Sequence, residues 1–183
     1  MTQQRNKVRI IAGKYRRRLL DVPEAEGLRP TPDRVRETLF NWLGQELHGK
    51  NCLDLFAGSG ALGFEAASRE ARRVVLVEKS RGVADVLRKN RQLLGASEID
   101  IQSQDALLYL KHCRDCFDIV FVDPPYQQAL QQQVLAMLPP LLAPGAVVYV
   151  ETPAPAEFAG WQVLRAMKAG KVHSWLLQPE SAV

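Results

Sequence analysis

The sequence of 183 residues has few cysteines, no secretory leader and no long apolar segment. Its three cysteines, Cys52, Cys113 and Cys116, are too few and too unevenly spaced for a disulfide framework, which favours a reducing compartment. No apolar run is long enough to span a bilayer, and residues 1–5 do not begin a signal peptide. We therefore expect a cytoplasmic protein that does not contact membranes.

Metal ligands are also scarce. His112, Cys113 and Cys116 lie close together in the chain, but a closed zinc site needs four ligands and no nearby Cys or His completes the set. The same segment precedes a predicted strand and lies away from the glycine-rich motif described below, so redox chemistry is not expected there. The sequence therefore predicts no metal site.

Positive charge is concentrated at the N-terminus. The net charge is +4, and residues 1–18 contain seven Lys or Arg and no acid. Such a segment attracts polyanions by releasing their counterions, although a solvated tail that only aids solubility has the same composition. Because apolar residues alternate with the cations, we favour nucleic-acid binding. The candidate contacts are Lys14, Arg16, Arg17 and Arg18, which we expect to hold phosphates that flank a target nucleotide.

The first third of the chain predicts a hairpin followed by a helix. Residues 8–22 are typical of a β-hairpin with a turn at Ala12-Gly13, and residues 23–30 form a connector. A helix is predicted from Thr31, as N-cap, to about Leu47. Arg36 lies in the middle of its apolar face, where it either pairs with a buried acid or lines the active site and contacts RNA. The sequence leaves both alternatives open.

From Asn51 onward, short apolar runs alternate with helical patterns. This alternation predicts an α/β domain in which a mostly parallel sheet is covered by helices on both faces. We predict a hairpin extension and connector over residues 1–30 and one α/β domain over residues 31–183. The predicted strands cover residues 52–57, 74–77, 99–102, 117–122 and 146–150, with a final hairpin at 161–167 and 172–177. The predicted helices cover residues 61–70, 81–94, 106–112 and 129–142.

A glycine-rich motif joins the first of these strands to the next helix. Gly58-x-Gly60-x-x-Gly63 has the spacing of nucleotide-binding loops, in which glycine lets the backbone turn sharply and approach a ligand. Acids end three consecutive predicted strands, at Asp54, Glu78 and Asp105. Each has a structural alternative as a helix cap or a surface ion pair, but together they occupy the place where α/β sheets bind ligands. S-adenosylmethionine, which is cationic and lacks phosphate, suits these acids better than a dinucleotide does.

The fourth predicted strand, residues 117–122, ends in Asp123-Pro124-Pro125-Tyr126. Proline has no backbone N–H, so the strand cannot continue and the carbonyls beside the prolines have no ladder partner. A carboxylate, free carbonyls and an aromatic ring suit a flat molecule that carries an amino group. A nucleobase fits this description.

Together these motifs resemble class I S-adenosylmethionine-dependent methyltransferases that act on exocyclic amines. The chain resembles more closely the RsmD family, which methylates a guanine N2 in 16S ribosomal RNA. The resemblance covers nearly the whole chain and includes the segments 29–40 and 54–60. It implies a Rossmann-like sheet of seven strands in the order 3-2-1-4-5-7-6, and 16S ribosomal RNA in a small-subunit particle as the substrate. Nothing in the sequence demands more than a monomer, so we expect a monomer. The implied catalytic residues are Asp123, Pro124, Pro125 and Tyr126, and the implied cofactor-binding residues are Asp54, Phe56, Gly58, Ser59, Gly60, Glu78, Lys79, Asp105 and Ala106.

Three other functions remain open from the sequence. DNA adenine-N6 methyltransferases use a similar tetrapeptide, but no sizeable domain for duplex recognition is present. Protein glutamine methyltransferases are also similar, although they favour Asn at the position of Asp123. A non-catalytic RNA-binding assembly factor is the third alternative, and in such a protein we would expect the glycine loop or the tetrapeptide to be damaged.

Overall fold

The computed structural model describes residues 7–125 and 128–180, except for the side chain of Gln128. Tyr126 lies outside the described residues. Among those described, no helix has the length and apolar character needed to cross a membrane. The strands are β1 (Lys7–Arg9), β2 (Leu19–Asp21), β3 (Asn51–Asp54), β4 (Arg73–Val77), β5 (Ile99–Gln102), β6 (Phe117–Val122), β7 (Leu142–Thr152), β8 (Trp161–Ala169) and β9 (Val172–Pro179). The helices are α1 (Asp33–Leu43), α2 (Ala61–Ser68), α3 (Arg81–Leu94), α4 (Ala106–His112) and α5 (Gln128–Met137), followed by a 3-10 turn at Pro139–Leu141.

The main sheet has the strand order β5-β4-β3-β6-β7-β9-β8. Strands β3 to β7 are parallel, whereas β9 is antiparallel to both β7 and β8. Counted from β3, this order is 3-2-1-4-5-7-6, so the order implied by the resemblance is confirmed. The connections change direction between β3 and β6, and in an open α/β sheet ligands bind beyond the carboxyl ends of the strands at such a point.

Two apolar layers cover the sheet. On one face, α1, α2, α3 and the β1–β2 hairpin contribute to a single cluster that includes Phe40, Phe64 and Leu87. On the other face, α4 and α5 pack through residues such as Leu110 and Val134. The central parallel strands are therefore buried on both sides, which explains why they are continuous apolar runs in the sequence.

Several element boundaries differ from the sequence prediction. The strand predicted at 52–57 ends at Asp54, and the helix predicted at 129–142 ends at Met137, followed by a 3-10 turn and a strand that begins at Leu142. Helix α1 has Pro32, not Thr31, at its N-cap position, and it ends at Leu43 rather than Leu47 because Gly44 has a φ of 102°. The two hairpin strands are short, and a loop of residues 10–18 replaces the predicted turn at Ala12-Gly13. This loop packs against α2 instead of closing tightly. The main-chain amide of Ala12 donates to the Glu65 carboxylate, at 3.0 Å.

Candidate active site

Three carboxyl groups lie side by side at the carboxyl edge of the sheet. Asp54 ends β3, Asp123 directly follows β6 and Glu151 lies near the end of β7. Phe121 pairs with both Asp54 and Tyr149, so these three residues share one face of the sheet. Asp123 and Glu151 come two residues later on their strands and therefore project from the same face.

Glu151 was not among the site residues predicted from the sequence. A signal was present, because Glu151 follows the apolar run Val148-Tyr149-Val150 just as the three predicted acids end their own strands. What the sequence did not contain was the register. The pairing of Val122 with Val150 places the next residues, Asp123 and Glu151, beside each other.

Among the residues that the structure describes, no cation compensates the row of acids. Burial raises the pKa of Asp54 to about 7, and the charge of Glu78 adds to this effect, while hydrogen bonds from the amides of Phe56 and Gly63 oppose it. The pKa of Asp123 is raised to about 8 by burial and by the charges of Glu151 and Asp54. Because Asp123 is exposed to solvent, the charges of Glu151 and Asp54 are the main reason for its raised pKa. None of these causes is a positive group, and the site therefore favours a cationic ligand.

The glycine loop lets α2 pack closely on the sheet. Gly58 and Gly60 have φ angles of 52° and 77°, a region that favours glycine. A Cβ atom on Gly63 would lie 2.1 Å from Cδ2 of Leu76, so this glycine is required for α2 to pack on β4. The connector covers the loop from outside, since Leu28 Cδ1 would lie 3.5 Å from a Cβ atom on Gly58.

Glu78 and Asp105 have structural roles in the absence of a ligand. Glu78 accepts hydrogen bonds from the amides of Gly58 at 3.0 Å and Ser80 at 2.8 Å, so it fastens the glycine loop to the end of β4. It forms no ion pair with Lys79 or Arg81 among the described contacts, contrary to that structural alternative. Asp105 does cap α4, as its own alternative predicted, through the amides of Leu107 and Leu108. Its other oxygen lies 4.0 Å from Nζ of the exposed Lys79.

The remaining predicted site residues lie around these acids. Ser59 is buried in the loop, and Phe56 is half-buried against the core on the α4 and α5 face. Ala106 is buried at the start of α4. Pro124 is buried and Pro125 is exposed at the end of β6. The structure thus brings all of the predicted cofactor-binding and catalytic residues that it describes to one edge of the sheet.

Arg36 follows the first of its two alternatives. Its side chain is 1% exposed and pairs with Glu65, which is fully buried, at 3.3 Å. The guanidinium also donates to the carbonyls of Thr31 and Arg9 and to the carboxylate of Asp33. These contacts occupy its donors within the fold. The assignment of Arg36 to RNA binding is therefore corrected, because its charge is not presented to solvent.

The four hairpin cations lie at the opposite edge of the sheet from Asp123. Lys14 Nζ lies 2.8 Å from Glu98, which precedes β5, and Arg18 donates to the carbonyl of Leu93 near the end of α3. Arg16 and Arg17 are exposed and have no side-chain partner in the described part of the chain. Helix α3 runs from one edge to the other, and its 14 residues span about 21 Å at 1.5 Å per residue.

Comparison with known proteins agrees with this geometry. Residues 8–178 match the model of a family described as Conserved hypothetical protein 95. The chain is 48% identical over 154 residues to Ribosomal RNA small subunit methyltransferase D of Haemophilus influenzae, covering 81% of this chain and 80% of that protein. It is 43% identical over 180 residues to the protein of the same name in Escherichia coli strain K12, covering 95% of this chain and 91% of that protein.

Solved structures support the fold. The Escherichia coli protein yhhF is similar with a TM-score of 0.87 and 43% identity, covering 97% of this chain and all of that chain (100%). An RNA methyltransferase from Salinibacter ruber in complex with S-adenosyl-L-homocysteine has a TM-score of 0.69 at 19% identity, covering 85% of this chain and 97% of that chain. The second likeness concerns the fold alone. The match of the family model over residues 8–178, together with the two relatives, shows that this chain belongs to the RsmD family and has the class I methyltransferase fold.

Proposed function

We propose that the protein transfers a methyl group from S-adenosylmethionine to the exocyclic N2 of a guanine in 16S ribosomal RNA. The observation that carries this proposal is the row of uncompensated acids that ends at Asp123, directly before Pro124-Pro125. The names of the relatives support ribosomal RNA of the small subunit as the substrate. We further propose that the substrate is presented within a small-subunit particle and that the protein acts as a cytoplasmic monomer.

The residues at the carboxyl edge fit this cofactor. When bound, S-adenosylmethionine supplies a methyl carbon attached to a positively charged sulfur. Asp54 would hold its positive groups, since no cation compensates this buried carboxyl group. Glu78 would accept the ribose hydroxyls, because a carboxylate has about four lone-pair sites and only two are used by backbone amides. Asp105 would accept a hydrogen bond from the adenine through the oxygen that does not cap α4.

Asp123 and Pro124 would prepare the amine for attack. The lone pair of an exocyclic base amine is delocalised into the ring, so the amine is a poor nucleophile. Strand β6 ends at Val122, and the Pro124 carbonyl and the Asp123 carboxylate would each accept one amine hydrogen. These two hydrogen bonds direct the nitrogen lone pair toward the methyl carbon and stabilise the positive charge that develops on nitrogen. Tyr126 would stack on the base, which contributes about 1–3 kcal/mol.

The hairpin loop would bind RNA at a distance from the target nucleotide. Arg18 contacts Leu93 near the end of α3, and the length of this helix puts the separation from the catalytic edge on the order of 21 Å. Stacked nucleotides advance about 3.4 Å each, so this distance corresponds to roughly six nucleotides. Arg16 and Arg17 would therefore contact an RNA segment several nucleotides away rather than the phosphates next to the target. The target base itself must be unpaired or flipped to reach Asp123.

The Asp123→Ala variant tests this proposal. We expect it to bind S-adenosylmethionine as the wild type does, while methyl transfer falls by at least about 100-fold through loss of one acceptor and of electrostatic stabilisation. Asp85→Ala, on the exposed side of α3, is the control that removes a carboxylate elsewhere. The assay supplies labelled cofactor with small-subunit particles, free 16S RNA, DNA and protein in separate reactions, followed by mapping of the modified nucleotide. Undiminished methylation by Asp123→Ala, or labelling confined to DNA or protein, would refute the proposal.

A further inference from the structure

Glu151 is held by an arrangement that cofactor and substrate binding do not explain. Its Oε1 accepts a hydrogen bond from the Tyr149 hydroxyl at 2.7 Å. The same hydroxyl lies 3.0 Å from Oγ of the buried Ser174. Tyr149 has a single hydroxyl proton, so it donates to Glu151 and accepts from Ser174. Gln131 of α5 fixes the backbone as well, because its side-chain amide donates to the Glu151 carbonyl at 2.7 Å.

This arrangement points the Glu151 carboxyl group toward the same side of the sheet as Asp123. The two residues are neighbours on parallel strands, whose spacing is about 4.8 Å. Within the described part of the chain, the groups that face Asp123 are Glu151 and the Tyr149 hydroxyl on β7 and Asp54 on β3. All of these are acidic or neutral. Two adjacent carboxylates without a cation between them repel each other, and each one holds a proton more tightly than it would alone.

We propose that Glu151, oriented by Tyr149, is a positioning residue that makes Asp123 basic enough to take the proton that the methylated amine releases. The inference rests on the proposed function. As the nitrogen forms its bond to the methyl carbon, the electron pair of the broken carbon–sulfur bond stays on sulfur. The nitrogen then carries a positive charge and gives one proton to the ionised Asp123 carboxylate, which passes it to water.

This arrangement is useful because it brings the pKa of the proton acceptor closer to the working pH. An isolated aspartate has a pKa near 4 and is a weak base at neutral pH. An acceptor is most effective when its pKa lies near the working pH. The charge of Glu151, together with that of Asp54, shifts the pKa of Asp123 upward, toward that range. The carboxyl group of Glu151 is also shifted upward, mainly by burial, and the hydrogen bond from Tyr149 opposes that shift.

The test compares Glu151→Gln with the wild type in two measurements. The first follows the Asp123 carboxyl carbon by NMR during a pH titration of the protein without cofactor or RNA. For charges about 5 Å apart, with an effective dielectric between 20 and 80, we expect Glu151→Gln to move the Asp123 titration down by on the order of one pH unit. The second is the pH–rate profile of methyl transfer, whose acidic limb should move in the same direction.

Two further variants keep the test decisive. Tyr149→Phe retains the ring and removes only the hydroxyl, so we expect a shift in the same direction and of smaller size. Glu157→Gln, an exposed acid on the loop after β7, should leave both curves unchanged. An Asp123 titration that is identical in Glu151→Gln and wild type would overturn the inference, even if activity fell. If the titration shifts but wild-type protein methylates no RNA, the coupling of the two carboxyl groups stands and the proposed function fails.

Discussion

The strongest prediction concerns Asp54, because its carboxyl group is buried without a counter-charge. Its pKa rises from 3.8 to about 7 in the folded protein, with burial as the main cause. The native state therefore holds this proton more tightly than the unfolded chain does. The resulting stabilisation is fully present below pH 3.8 and is lost as the pH rises through 7. At about 1.4 kcal/mol per pKa unit, the total loss is on the order of 4 kcal/mol.

Asp54→Asn removes the charge and keeps the shape of the side chain. Between pH 5 and pH 8.5, ionisation of Asp54 should lower the free energy of unfolding of the wild type by about 3 kcal/mol, and this loss is absent in the variant. The assay is urea denaturation of both proteins at the two pH values. The measured quantity is the difference between variant and wild type, so the pH dependence of other groups cancels.

The same substitution should harm function. A hydrogen bond to a charged partner contributes about 1.5–3 kcal/mol, so we expect S-adenosylmethionine to bind about 10- to 150-fold more weakly by calorimetry. The variant would then be more stable than the wild type at high pH and would bind the cofactor more weakly. This is expected where a site keeps a charge that lowers stability but binds the ligand. Asp85→Asn, an exposed carboxylate on α3, should change neither quantity. If the difference in free energy of unfolding between Asp54→Asn and wild type changes by less than about 0.5 kcal/mol between pH 5 and pH 8.5, the reasoning is wrong.

Three further predictions concern other parts of the structure. Gly63→Ala should lower the free energy of unfolding by about 1–3 kcal/mol because its Cβ would meet Leu76, whereas Gly82→Ala, with open space around it, should be neutral or slightly stabilising in urea denaturation. Glu65→Ala should lower the free energy of unfolding by about 3–5 kcal/mol, because it leaves the buried Arg36 and Arg69 without their shared carboxylate. A loss below about 1 kcal/mol would contradict this role of Glu65. Reversing Arg16 and Arg17 to Glu should weaken RNA binding and reduce its salt dependence, with cofactor affinity unchanged; an unaltered salt slope would place the RNA elsewhere.

Local motifs were predicted best from the sequence. The bounds of α3 and α4 agree with the predicted residues 81–94 and 106–112, because each has its cap and apolar spacing within its own segment. The end of β6 before Asp123 was found for the same reason, since proline specifies where a buried strand stops, whereas β3 ends at Asp54 and not at residue 57 as predicted. Boundaries failed where a distant contact decides the backbone, as in the hairpin loop that packs on Glu65 of α2.

The sequence by itself determined the chemistry available at the strand ends: acids, a glycine loop and a proline-terminated strand. Only the tertiary structure decided which of these groups act on one another. Register on parallel strands placed Glu151 beside Asp123, and helix packing buried Arg36 against Glu65. Arg18 lies near the far end of α3, a helix about 21 Å long, so the packing of this helix separates the hairpin cations from the catalytic edge. Distances between residues far apart in the chain depend on how the elements pack, and the spacing of residues along the sequence does not encode them.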